Sequence, residues 1–174
     1  METKEKKPRR LRWILMGIVV LLVAAAVSAE AMQRWRIEQA VETGMQMLDL
    51  PYVWGAEGPD AYDCSGLVKT CMAAAWVETP RQAVEIGDGP WMRVENSGDL
   101  RRGDIVCFDT LDDWDQSDHV GIYLGDDQVL HASYGKQKVI ISTMGYFGDT
   151  FSWGLRPICH FDLEAMICAL KPND

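Results

Sequence analysis

The stretch YDCSGLVKTCMAAAW, residues 62–76, reads as the start and body of a helix with one apolar face. Leu67, Val68, Cys71, Met72, Ala75 and Trp76 follow the i, i+3, i+4, i+7 spacing, and Cys64 falls on the same face. Asp63 just ahead of it has the side chain of an N-cap. Downstream the pattern turns into short strands, at Asp104–Phe108, His119–Leu124, Gln128–Ser133, Val139–Ser142 and Trp153–Ile158, with a Gly125-Asp126-Asp127 turn. Upstream, residues 33–48 read as an amphipathic helix with Ile37, Ala40, Val41, Gly44 and Leu48 on one side. Pro51 and the run Gly55 to Pro59 break it into a loop, and residues 87–103, rich in Gly and polar groups, read as a surface loop. Helices first and strands afterwards predict an α+β domain built on an antiparallel sheet.

Before that domain lies a different kind of sequence. Trp13 to Ala29 is 17 residues without a charge, and it shows no polar face. Roughly 20 apolar residues span a bilayer and about 17 is the lower limit, whereas signal-peptide cores run to about 15. The length fits an uncleaved anchor, Val27-Ser28-Ala29 fits a signal-peptide cleavage site, and a buried core helix is the third reading. No Cys ends the run, so nothing points to a lipid-anchored form. In the first two readings residues 1–12 form a basic cytoplasmic tip, 13–29 meet the membrane, and residues 30–174 form one domain outside the cytoplasm. The short 30–35 stretch would then keep that domain close to the membrane surface.

Charge supports this division. The chain has 174 residues and a net charge of −9, but residues 1–12 carry six Lys or Arg against two Glu. That local +4 leaves −13 for the rest of the chain. An acidic body excludes nucleic acid as a partner, since phosphate neutralisation needs a basic face. The apolar share of 48% is that of an ordinary globular chain.

Five cysteines (64, 71, 107, 159 and 168) make no C-x-x-C pair, and with three histidines they argue against structural zinc; no metal and no organic cofactor is expected. Cys71 and Cys107 sit in apolar segments and read as core. Cys159 and Cys168 could pair or simply pack, and His160 has no partner in the pattern. Cys64 differs, because a helix start favours an anion and so a thiolate. A nucleophilic Cys also needs a base and a group that orients the base. His119 and His131, one on each side of the predicted hairpin turn, can lie on one sheet face on adjacent strands.

Four stretches, YVWG (52–55), DCSGL (63–67), LRRGDIVCF (100–108) and DHVGIYLGDDQVLHAS (118–133), resemble the NlpC-type, papain-like cysteine peptidases. The resemblance covers about residues 36–158 and implies a papain-like fold, with the nucleophile's helix packed on a central antiparallel sheet. It further implies a bacterial or phage enzyme that cuts peptide bonds in cell-wall stem peptides. Carried over by position, Cys64 matches the nucleophile, His119 the general base and His131 the third polar residue. Tyr52 matches the tyrosine beside the nucleophile, and Asp63 and Ser65 match residues lining the substrate pocket. Pro80-Arg81 and Leu155-Arg156 resemble further family positions. Ala56, Arg102, Cys107 and the acidic segment Asp109 to Asp118 depart from the usual pattern without touching the catalytic set.

The mechanism implied is a Cys64 thiolate and His119 imidazolium, oriented by His131, attacking a peptide carbonyl. Asp112, Asp113, Asp115 and Asp118 read either as a solvated loop or as a field that favours the imidazolium. Two rivals remain: an amidase or acyl-transferase using the same Cys–His apparatus, and a membrane-tethered module that binds wall without catalysis.

Overall fold

The computed structural model describes residues 9–111 and 117–158, with side chains from residue 11 onward. The readings of Asp112, Asp113, Asp115, Cys159, His160 and Cys168 lie outside the described residues.

Helix α1 runs Arg9–Met45. It joins the uncharged run and the expected 33–48 helix into one element, because no Gly or Pro interrupts residues 18–43. Its part through Arg34 belongs to one unit of the chain, and the compact unit that holds the rest of the described residues begins at Trp35. The first part is long and apolar enough to cross a membrane, with a mean hydropathy of 2.4, and its side chains are exposed.

In the second unit, α2 (Cys64–Ala74) and the short α3 (Ala83–Gly87) precede the sheet. The strands are β1 (Met92–Val94), β2 (Ile105–Phe108), β3 (His119–Gly125), β4 (Gln128–Ser133), β5 (Lys138–Thr143) and β6 (Phe151–Arg156). They form one antiparallel sheet in the order β1-β6-β2-β3-β4-β5. The predicted α+β class and its antiparallel sheet stand. The loop expected over 87–103 carries β1, which pairs with β6, and a single 3-10 turn at Ser97–Asp99.

Period-two alternation gives the sheet two buried faces. Ile105, Cys107, Val120, Ile122 and Leu130 share a core with Leu67, Val68, Cys71 and Met72 of α2 and with Ile37 and Val41 of α1. Val106, Phe108 and Val129 turn to the other side, where the 3-10 segment Met144–Thr150 lays Phe147 flat on Phe108, ring centroids 3.8 Å apart. Cys71 and Cys107 are core residues, as expected.

The β3–β4 connection differs instructively from the expectation. Gly125 pairs with Gln128, so the turn consists of Asp126 and Asp127 alone, both at positive φ (49° and 63°). The extra residue sits instead as a bulge in β3, between Tyr123 and Gly125. The same short turn without that bulge would place His119 and His131 on opposite faces, because a slip by one position inverts every side chain. The bulge returns them to the same face.

Beyond β6, Arg156 is buried against Asp104, with Nε donating to Oδ1 at 3.0 Å and Nη2 to Oδ2 at 2.8 Å. Nη2 also donates to the Asp99 carbonyl (2.9 Å), and Asp104 accepts the Arg101 amide (2.8 Å). This pair ties the end of β6 to the start of β2.

Candidate active site

The first turn of α2 is fixed by Asp63, whose extended backbone (φ −94°, ψ 178°) places its carboxylate over the helix N-terminus. Oδ1 accepts the Gly66 amide at 2.7 Å and Oδ2 the Gly55 amide at 2.8 Å. Arg81 closes on the same carboxylate from the far side, with Nη1 to Oδ1 at 3.0 Å and Nη2 to Oδ2 at 2.7 Å. Ser65 Oγ accepts from Arg81 Nη1 (2.8 Å) and donates to Asp63 (3.3 Å). Gly66 is required here for space, since a Cβ would stand 2.2 Å from the Ala56 carbonyl oxygen. The loop after Tyr52 is therefore strapped to the helix start that carries Cys64.

Burial is the largest influence on the Asp63 carboxyl and pushes its pKa up. The Arg81 hydrogen bonds, the Gly66 and Gly55 amides and the Arg81 charge together outweigh it, so the group stays below the usual carboxylate range. Asp63→Ala is expected to destabilise the chain by about 1–3 kcal/mol, the sum of a lost N-cap and a lost Arg81 pair, while Arg81 keeps Glu57 at 2.8 Å. Denaturant unfolding measures this, and a loss below about 0.5 kcal/mol would show that the cap is not holding the helix start.

Cys64 opens α2 and is buried at the base of a cleft of about 750 Å³. Tyr52, Arg81, Leu111, His119 and Tyr134 line the same cleft. The Tyr52 ring meets Tyr134 edge-on at 5.6 Å, and its hydroxyl is pushed up to about 12, first by burial and then by the nearby Cys64 and Asp63. His119 keeps one edge open to the cleft, and its Nε2 lies 2.9 Å from Nδ1 of the buried His131. His131 Nε2 lies 3.0 Å from Ser142 Oγ. Phe147 covers the pair, with its centroid 6.0 Å from the His119 ring and 4.9 Å from the His131 ring. Gly121, between the two histidines on that face, cannot carry a side chain, because a Cβ would come within 2.6 Å of Val129 and 2.9 Å of the Leu130 carbonyl.

All six residues named from the sequence border this region, or in the case of His131 support it from behind His119. The Asp63 carboxylate is engaged by the protein's own groups on both oxygens. Two contributors were missed as site residues. Arg81 was legible as part of a Pro-Arg resemblance, and Ser142 gave no signal outside the strand register. Among the described residues no group of three or more His, Cys, Asp or Glu side chains converges to hold a metal ion.

The electrostatics differ from the expected ion pair. Burial raises the Cys64 thiol to about 11, although the Val120 and Ser65 amides pull it back. Burial likewise lowers His119 to about 4 against the upward pull of Asp118. His131 falls to about 3, by burial and by repulsion from His119. Asp118 does favour the imidazolium, one of the two readings left open for its cluster, but desolvation is the larger effect. Its carboxylate also holds the loop at Thr110 and Leu111 through their backbone amides. Both shifts favour the neutral thiol and the neutral imidazole over a thiolate–imidazolium pair.

A base that must be neutral loses activity only as pH falls through its own pKa. kcat/KM is thus expected to stay flat down to about pH 5 and to fall toward pH 4. Alkylation of Cys64 by iodoacetamide should be slow at pH 7 and should rise toward pH 11. Fast alkylation of Cys64 already at pH 7, together with a loss of kcat/KM as pH rises through the imidazolium pKa, would restore the pre-formed ion pair.

A cysteine at a helix start, a base hydrogen-bonded to a third polar ring and a cleft open to both can perform acyl transfer through a covalent thioester. Known proteins resemble the chain in sequence and in fold. Residues 49–156 match the model of the NlpC/P60 family. Over 109 residues the chain is 35% identical to the probable endopeptidase YafL of Escherichia coli, covering 62% of this chain and 43% of that protein. It is 29% identical over 115 residues to the gamma-D-glutamyl-L-lysine dipeptidyl-peptidase of Bacillus subtilis, covering 64% and 37%. The chain thus spans less than half the length of these two relatives. Among solved structures, NlpC1 from Trichomonas vaginalis superposes with a TM-score of 0.65 at 30% identity, over 70% of this chain and 44% of that one. The peptidoglycan hydrolase RipB from Mycobacterium tuberculosis gives 0.64 at 26% identity, over 74% and 68%. With the family match covering well over half its length, the chain belongs to the NlpC/P60 family.

Proposed function

We propose that this chain is an endopeptidase that hydrolyses a peptide bond in peptidoglycan stem peptides, with Cys64 as nucleophile, His119 as general base and His131 as the group that orients it. The observation that carries this reading is the 2.9 Å contact between His119 Nε2 and His131 Nδ1 at the wall of the cleft that also holds Cys64. That contact occupies one nitrogen of His119 and leaves Nδ1 to take the thiol proton. The Cys64 sulfur then forms a bond to the substrate carbonyl carbon, and the backbone N–H of Cys64 at the helix start stabilises the developing oxyanion. His119 returns the proton to the leaving amine, and water releases the acyl group from sulfur. Tyr52 and Ser65 border the substrate, while Asp63 acts on it through Arg81 and the helix start.

The basic segment 1–12 and the apolar run 13–29 support a location at the membrane, with the domain of residues 30–174 on the outer side. The run serves as anchor or, if cleaved after Ala29, as signal peptide. A single-pass anchor would hold the enzyme near newly made wall.

The test is mass spectrometry of stem-peptide fragments incubated with the full chain in detergent micelles. The γ-D-glutamyl bond to the diamino acid, suggested by the Bacillus subtilis relative, is the first to inspect. Release of two free peptides supports the reading. Loss of the whole stem from its sugar, or transfer of the acyl group to a second amine, would replace it with an amidase or an acyl-transferase.

A further inference from the structure

His131 reaches past His119 to a second partner, the Ser142 hydroxyl. We propose that Ser142 is a positioning residue of this site: its hydroxyl accepts the Nε2–H of His131 and so supports the tautomer of both rings that leaves His119 Nδ1 bare for the Cys64 proton. The inference rests on Cys64 and His119 being nucleophile and base, and it deepens that reading.

Only one proton fits between His119 Nε2 and His131 Nδ1, 2.9 Å apart. In one arrangement His119 donates it, so His131 Nδ1 accepts and the His131 proton resides on Nε2, facing Ser142 Oγ at 3.0 Å. His119 Nδ1 is then unprotonated and can act as a base. In the other arrangement His131 donates from Nδ1, Ser142 donates its hydroxyl proton to His131 Nε2, and His119 carries its proton on Nδ1, where it cannot accept another. The two differ in nothing but the direction of the hydrogen bonds. The active one requires an acceptor beyond His131.

The surroundings leave that role to Ser142. His131 is almost fully buried, at 1% exposure, with the Phe147 ring at 4.9 Å, and the hydrogen-bond partner of its Nε2 is Ser142 Oγ. Strand register explains the reach. His131 stands opposite Ile140, and Ser142 lies one side-chain period further along β5, on the same face and diagonal to His131. The active arrangement also serves the whole reaction. When the proton passes from Cys64 Sγ to His119 Nδ1, His119 still donates Nε2–H to His131, and no proton on His131 has to move.

The experiment uses the full chain, labelled with ¹⁵N-histidine in detergent micelles. Two-bond ¹H–¹⁵N correlation reads the tautomer of each ring, and His119→Ala and His131→Ala spectra assign the signals. The expected result is Nε2–H on both His119 and His131. Ser142→Ala should shift His131 away from that form and lower kcat by about tenfold, the size of one lost buried hydrogen bond, with KM unchanged. Ser142→Thr keeps a hydroxyl and should restore both. A His131 proton on Nδ1 in the unsubstituted chain would overturn the proposal without reference to activity. So would a Ser142→Thr chain as slow as Ser142→Ala, or a Ser142→Ala chain with unchanged tautomers and kcat. Failure of the underlying reading would look different, as cutting that survives Cys64→Ala while the tautomers follow Ser142.

Discussion

Replacing Cys64 with Ala is expected to lower stem-peptide hydrolysis by a factor on the order of 10⁴ to 10⁶, leaving only what a shaped cleft and oxyanion donors supply. Among the described residues no other cysteine can substitute for this sulfur, since Cys71 and Cys107 lie sealed in the core. The substitution removes a side chain that makes no structural hydrogen bond stronger than those from the Val120 and Ser65 amides. The variant should therefore fold and keep the cleft. Substrate binding, measured by calorimetry with an uncleaved fragment, is expected to survive within a few-fold. Retention of more than about one per cent of the rate would move the chemistry off Cys64.

The largest expected effect on stability lies at the opposite end of the sheet. Asp104→Ala strands the Arg156 guanidinium among buried neighbours, and breaking a buried pair from one side costs about 3–5 kcal/mol. Both partners are enclosed, with side-chain exposures of 8% for Arg156 and 3% for Asp104. The Arg101 amide loses its acceptor in the same step. Urea unfolding followed by tryptophan fluorescence measures the loss, and replacing Asp104 and Arg156 together by Leu and Met should recover most of it. A single-variant loss below about 1 kcal/mol would mean that water reaches the guanidinium.

Sequence reading reached the parts of the molecule whose causes are local. Asp63 and the apolar spacing after Cys64 announce α2 within a few turns of chain, and alternation plus a turn announces the β3–β4 hairpin. The two histidines could be paired because side-chain parity across a hairpin is a short-range property. What escaped depends on distant partners or on where an irregularity falls. β1 is only Met92–Val94, and it exists through its pairing with β6, the last strand of the sheet to be made. The residue placed in the turn turned out to be a bulge in β3, a choice that leaves the parity of the histidines unchanged and the hydropathy pattern silent. Ser142 gains its role from a diagonal across β4 and β5, which a chain of letters does not display. The continuity of α1 was hidden for another reason. Charge at Glu30, Arg34 and Arg36 ends the apolar run but does nothing to end a helix.

The hairpin that carries the histidines also bears on the order in which the protein assembles. His119 and His131 are near neighbours along the chain, joined by a single tight turn, and closing so short a loop is fast and entropically mild. Cys64 belongs to a much earlier part of the chain, with α3, β1 and β2 between it and His119, and it arrives only when α2 settles on the sheet. The expected sequence of events is base pair first, nucleophile last, with high φ-values in β3 and β4 and low ones at the start of α2. A chain that folds in this order would hold an incomplete cleft until its core is complete.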